Sequence, residues 1–135
     1  MADLVITPAN LVLQSNTRFI PAVAGEGLNA GAPVWFDSVT QRWFNADADS
    51  VVIGANAPRG LVMAGVVAGA PFGLIIGGGL AFGAILTVGV TYYLSKNPGR
   101  IAPLADISGG NAFAIGIART TSIMELIFEN AEGVV

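Results

Sequence analysis

The feature that most constrains the fold is a run of 36 residues, 60–95, that contains no charged side chain. Glycines recur every four residues from Gly65 to Gly77, which is the small-residue spacing that lets membrane helices pack closely. Pro71 and the three consecutive glycines 77–79 weaken a helix, because proline kinks it and each glycine costs about 1 kcal/mol relative to alanine. Membrane helices tolerate both residue types, so the run by itself leaves a small glycine-zipper membrane protein as an alternative.

An internal repeat favours short strands over helices. Residues 28–37 align with residues 86–95, and each copy has a turn that contains glycine, a strand of bulky residues, a polar turn and a returning strand. Residues 68–72 repeat residues 30–34 inside the uncharged run, so that the order Ala-Gly-Ala-Pro occurs twice. Since the first copy leads into an aromatic strand, we expect the copy in the run to be a turn followed by a buried strand.

Short apolar segments between turn residues predict a mainly β fold, a small single-domain barrel or sandwich with a short helix and an extended amino-terminal arm. The predicted strands are residues 11–14, 17–23, 33–37, 42–45, 60–67, 72–76, 80–82, 92–95, 112–118 and 123–129. Pro21 places the second strand at a sheet edge, because proline donates no hydrogen bond to a ladder. Ser122 and Glu125 have the spacing of a helix cap, but the alternation of apolar and acidic residues favours a final strand.

Two further segments complete the predicted chain. The segment 74–82 is expected to be buried strand and turn, and its glycines, 77–79, are expected to form a turn or to allow close approach of another backbone. Residues 47–50 offer helix N-caps for the short helix, which is expected to end near Ala55.

The first residues predict an arm that is separate from the body. Residues 3–7 have the composition of a strand, and Pro8 ends them because it restricts Thr7 to extended geometry and lacks a donor. We therefore divide the chain into an arm, residues 1–10, and one β-rich domain, residues 11–135. Such an arm is mobile by itself and can add as an edge strand to a partner's sheet, or it can pair within its own oligomer.

Charge and residue types exclude several functions. Only 11% of the residues are charged, and the sequence contains neither cysteine nor histidine. The absence of both residues excludes Ser-His-Asp and Cys-His catalysis and structural zinc sites. Basic residues occur singly, without the stripe that a phosphate backbone requires, so we expect no nucleic-acid partner. A lone domain so poor in charge exposes much apolar surface, which predicts a homo-oligomer.

Two loops that resemble binding motifs fail on their spacing. Residues 47–58 begin like a calcium loop but have Val52 and Pro58 where that loop needs Gly and Glu. Residues 77–83 are rich in glycine but lack the lysine of a phosphate-binding loop. We therefore expect no metal and no cofactor, and the chain is not predicted to be an enzyme.

Acidic and aromatic residues receive structural interpretations. Glu125, Glu129 and Glu132 are interpreted as a solvated edge, and an enzyme that uses carboxylates alone is the third hypothesis. Aromatic residues that recur in the repeat predict core packing rather than stacking on a ligand; they are Trp35, Trp43, Tyr92 and Tyr93.

Turn-and-strand patterns in both halves of the chain point to a known family. The patterns are Leu86–Ser95, Pro98–Asp106 and Ile115–Ala118 with a terminal apolar strand, and, in the first half, Gly27–Trp43 with Asn45–Ala48. Together they span nearly the whole chain and resemble the small capsid decoration, or cement, proteins of tailed bacteriophages. The middle segment of that family is usually more polar than residues 74–82 are here.

This resemblance implies a β-rich virion protein that forms homotrimers on the outer surface of an icosahedral capsid. It implies binding at junctions between subunits of the major capsid protein, with no enzyme activity, no cofactor and no membrane. The resemblance lies in framework positions, so it transfers no binding residues. Our candidates for capsid contact come from the arm instead, and they are Asp3, Leu4, Val5, Ile6 and Thr7.

Overall fold

The computed structural model describes residues 3–47, 57–95, 97–103 and 113–130. In these residues the single small domain is mainly β, and antiparallel strands form one curled sheet with the shape of a half-barrel. The strands are β1 (Val12–Leu13), β2 (Arg18–Val23), β3 (Pro33–Asp37), β4 (Arg42–Asn45), β5 (Gly60–Val62), β6 (Pro71–Ala81), β7 (Thr91–Leu94), β8 (Ile101–Pro103), β9 (Phe113–Ala118) and β10 (Ile123–Asn130). The mainly β fold expected from the sequence is confirmed, and so is the final strand.

Helical structure is scarce in the described residues. A single turn of 3-10 helix, Pro8–Asn10, follows the arm where the sequence predicted only an interruption. The helix expected after Asp47 lies outside the described residues. Within the ranges that the structure describes, no helix is long and apolar enough to span a membrane.

Strand β6 is the centre of the sheet. The strand order is β4-β3-β5-β6-β10-β9-β7-β8, and β1 and β2 also pair with β6. Val12 lies opposite Ala81 and Val23 lies opposite Pro71, so β1 and β2 run in succession along the whole of β6. Leu74 pairs with both β2 and β5, which places those two strands on opposite sides of β6.

Residues 74–81 belong to a largely buried strand, but the glycines 77–79 do not form the turn that we predicted. Strand β6 continues through them for 11 residues. Its register against β2 shifts by one residue, because Arg18 pairs with Gly77 while Phe19 pairs with Ile75. This β-bulge changes the alternation of side chains, so that Ile75 and Leu80 both enter the larger core cluster.

Gly78, which lies near the bulge, occupies a position that requires glycine. Its φ of 86° lies in the left-handed region, which other residues adopt rarely. A Cβ atom at this position would overlap the backbone carbonyl of Asn16. The Asn16 side-chain oxygen accepts a hydrogen bond from the Gly79 N–H at 3.1 Å. The predicted close approach of backbones is therefore confirmed.

The core consists of two main clusters, one on each face of β6. The larger cluster includes Leu61, Ile75 and Met124. The smaller cluster includes Leu74 and Val62. Because neighbouring residues of a strand point to opposite faces, Leu74 and Ile75 bury both faces of β6.

The sequence repeat corresponds to three similar turns, each of which leads into a strand. The turn glycines have φ angles between 80° and 83°, and they are Gly31, Gly69 and Gly89. The residue after each glycine donates to the carbonyl three residues earlier, at 3.1 to 3.2 Å, which makes each a type II turn. The glycine N–H groups donate across to the carbonyls of Val62, Ala24 and Ala118, respectively. The prediction of a turn and a strand at Pro71 is therefore confirmed.

Candidate interaction surface

The arm lies against the body of its own chain. The Leu4 N–H donates to the carbonyl of Ile101 in β8 at 2.8 Å. The Asp3 carboxylate accepts hydrogen bonds from the Ser95 hydroxyl at 2.5 Å and from the Asn97 amide at 2.7 Å. The sequence predicted an arm that is separate from the body, whereas these hydrogen bonds hold the arm against the body. Since β8 is the last strand in the sheet order, Leu4 also covers its outer edge.

The five candidates for capsid contact differ in their accessibility. Leu4 and Ile6 are partly buried and pack against the larger core cluster. Val5 is 76% exposed, and Thr7 is exposed as well. Val5 and Thr7 are thus the residues that a partner can contact without displacing the arm. Capsid contact by this segment stays a prediction.

A cavity of about 310 Å³ lies beneath the arm. Its described walls include Leu4, Ile6, Asn29 and Arg100, and none of the described lining residues is an acid or a nucleophile. Arg100 is exposed, so its charge is solvated rather than directed into an enclosed site. The cavity therefore does not point to a reaction.

Aromatic residues of the repeat pack within the protein. Tyr92 and Tyr93 are buried, which confirms core packing for both. The Tyr92 hydroxyl accepts a hydrogen bond from the Thr87 N–H at 2.9 Å. The tryptophans are half-buried in tilted ring pairs of the β3–β4 hairpin, Trp35 with Phe44 at 6.0 Å and Trp43 with Phe36 at 5.2 Å between centroids.

Acidic side chains in the described residues have structural partners. Glu125 forms a surface ion pair with Arg119, whose Nε donates at 2.6 Å. The side chains of Glu129 and Glu132 lie outside the description. In the ranges described, no group of three metal-ligating side chains comes together. Carboxylates that accept hydrogen bonds from the same chain include Asp3, Glu26 and Asp37.

A surface that the sequence did not identify as a site is formed by β1 and β2. We call it the β1–β2 edge and define it by five exposed apolar side chains, Val12, Leu13, Phe19, Ile20 and Val23. Phe19 is 54% exposed and Ile20 is 42% exposed, although they are neighbours on β2 and point to opposite faces. The edge position that Pro21 predicted for this strand is confirmed.

The other two outer strands are covered by segments of the chain itself. Leu4 covers β8, as described above. The outer side of β4 receives the Gly25 N–H, which donates to the Trp43 carbonyl at 2.8 Å. Among the described residues, β2 itself pairs with β6 alone, and its outer side is open except at the carboxyl end, where the next residue, Ala24, bridges to Trp43 of β4. A sequence signal for this surface exists in retrospect, since residues 11–25 contain one charged side chain, Arg18.

Comparisons of the chain with known protein families, curated proteins and solved structures found no match. A functional conclusion therefore depends on the sequence resemblance and on the surfaces described above.

Proposed function

We propose that this chain is a structural protein that binds the outer surface of a bacteriophage capsid and stabilises the head as a cement protein. The observation that carries the proposal is the resemblance of residues 27–48 and 86–118 to that family. The described parts of these residues build the β3–β4 and β7–β8 hairpins and two of the three type II turns. Acidic and aromatic side chains described above serve packing and hydrogen bonding, which supports a role that depends on surfaces.

The proposed partners are the major capsid protein and further copies of this chain in a homotrimer. A trimer presents several footprints at once, and linking them raises the effective concentration of each, so that weak contacts give tight attachment. A protein that binds the assembled shell and not its separate subunits stabilises the shell by mass action. This role needs no active site.

The arm is the proposed part of the capsid footprint. Val5 projects into solvent between Leu4, which is bonded to β8, and Ile6, which packs on the body. An arm that is already held in place loses little conformational freedom on binding, which favours affinity. The proposed contact is therefore made by Val5 and Thr7.

Purified heads that lack this protein provide the test. We expect the protein to sediment with such heads in a saturable manner, to raise their melting temperature, and to appear as added density on their outer face in electron cryo-microscopy. Protein that stays in the supernatant at micromolar concentration would contradict the proposal.

A single substitution tests the arm. Val5→Asp is expected to leave folding unchanged, because the side chain is exposed, and to weaken head binding about 10-fold, or about 1.4 kcal/mol. Val39→Asp is the matched control, since Val39 is 90% exposed at the tip of the β3–β4 hairpin. Equal affinities of the two variants would remove the arm from the footprint. Deletion of residues 1–8 is a less direct test, because it also uncovers β8.

A further inference from the structure

We infer that the β1–β2 edge is the surface through which one copy of this chain contacts a second copy. The inference rests on the proposed function, since it names the contact that would hold the proposed trimer together. It follows from three observations, which concern the distribution of exposed apolar residues, the distribution of charge and the position of Pro21.

Exposed apolar residues are concentrated at this edge. Thirteen large apolar side chains in the described residues are exposed by more than a third, and five of them lie within residues 12–23. Their combined apolar surface is on the order of 400 Å², which is comparable to the largest apolar patch of a typical monomer, and it is divided between the two faces of the edge because neighbouring strand residues point to opposite faces. This is about half of the roughly 800 Å² that each partner contributes to a standard interface. The edge is large enough to be the core of a contact.

The charge around this edge favours a second copy over a charged partner. Residues 11–25 carry one charge, that of Arg18. A partner rich in charged side chains would bury them here without opposite charges to pair with, and burying an unpaired charge is costly. This chain has only 11% charged residues, so another copy supplies a surface that is equally poor in charge.

Pro21 determines the kind of contact. Its partner across the sheet is Gly73, and the proline nitrogen has no hydrogen to donate on the open side of β2. Two copies that paired edge to edge would therefore lose a rung of their ladder at this position. The contact is made by the side chains of Phe19, Ile20 and Val23 instead, packed against a different surface of the next copy. Contacts of this head-to-tail type close into rings such as trimers.

Light scattering coupled to gel filtration tests the contact without any capsid. The wild type is expected at about three times its chain mass of 13.7 kDa, and Phe19→Glu at the mass of one chain with an unchanged circular dichroism spectrum. The matched control, Val39→Glu, is expected to keep the wild-type mass. A Phe19→Glu protein with the wild-type mass would overturn the inference. So would a monomeric wild type whose binding to heads is lost in Phe19→Glu, which would assign the edge to the capsid protein.

Single cysteines provide a second measurement that does not perturb folding, because the natural chain has none. We expect maleimide to modify Ile20→Cys at least 10-fold more slowly than Val39→Cys in the oligomer, and equally fast after dilution to monomers. Equal rates in the oligomer would contradict the contact. The measurements also separate this inference from the proposed function. If only the proposed function is wrong, the wild type does not bind heads, while Phe19→Glu still dissociates into monomers. If only the proposed contact is wrong, Phe19→Glu keeps the wild-type mass and still binds heads.

Discussion

Strands β6 and β2 are neighbours of similar composition with opposite surroundings. Leu74 on β6 is fully buried, whereas Ile20, which lies opposite it on β2, is 42% exposed. The next pair repeats the difference, because Ile75 is fully buried while Phe19 is 54% exposed. Both strands are apolar on both faces, but β6 is covered on both faces and β2 is not.

The difference shows that the neighbours of a strand, and not its hydrophobicity, decide whether it belongs to the core. Strand β6 is flanked by β2 and β5 along its first half and by β1 and β10 along its second half. Strand β2 pairs with β6 alone among the described residues. The second side of β2 meets β4 only near its carboxyl end, where Ala24 bridges to Trp43, and an apolar strand that is covered so incompletely has the properties of an interaction surface.

The largest expected effect concerns the positive φ of Gly78 at the centre of β6. Gly78→Val is expected to reduce the free energy of unfolding by about 4 kcal/mol, since a β-branched residue would adopt a positive φ and overlap Asn16. Chemical denaturation measures the effect. Gly27→Val is the control, because no atom lies within 4 Å of a Cβ built there. Similar midpoints for the two variants would show that β6 does not need glycine at position 78.

The second expectation compares directly opposed residues. Leu74→Ala should cost about 3 kcal/mol, because it leaves a cavity in the core, whereas Ile20→Ala should cost about 1 kcal/mol or less. Denaturation is measured at a concentration where the chain is monomeric, so that contacts between copies do not contribute. Equal losses would mean that β2 is as well covered within one chain as β6 is.

The smallest expected effect on stability concerns the open side of β2. Pro21→Val restores an N–H group there and should change the free energy of unfolding by only about 0.5 kcal/mol. Association should change more, since an apolar edge with a full set of donors pairs with other edges. Static light scattering during incubation is expected to show growth beyond the wild-type assembly. Val23→Ile, which adds apolar surface without a donor, serves as the control, and equal growth of both would rule out the donor as the cause.

Local sequence signals predicted the parts of the fold that depend on local chemistry. Gly31, Gly69 and Gly89 each occupy the position of a type II turn that favours glycine, so their repeat identified the starts of three strands. The aromatic packing of Tyr92 was predicted in the same way. The edge position of β2 followed from Pro21, because proline has a fixed chemical effect on a ladder.

The remaining features depend on contacts between residues that are distant in sequence. The glycines 77–79 lie in a continuous strand and not in a turn because Asn16 and Thr17 lie beside them, and the Thr17 hydroxyl donates to a carbonyl 62 residues away. Asp3 is held by Ser95, which is 92 residues away, so the arm's attachment to the body was not visible locally. The β1–β2 edge was missed as a site because its exposure depends on which strands the chain places beside it.

The pairing of β1 and β2 with β6 also has a consequence for synthesis of the chain. A ribosome adds about 5–20 residues per second. Gly79, whose carbonyl accepts a hydrogen bond from the Thr17 hydroxyl, lies 62 residues later and is therefore synthesised roughly 3–12 s after Thr17. During that time Phe19 and Ile20 have no neighbouring strand, and sheets with such distant pairings fold slowly. Pro21 lies in the middle of β2 and limits the pairing of this segment with other nascent chains. Because proline lacks an N–H group, Pro21 limits strand pairing at this edge both in the folded protein and before the sheet has formed.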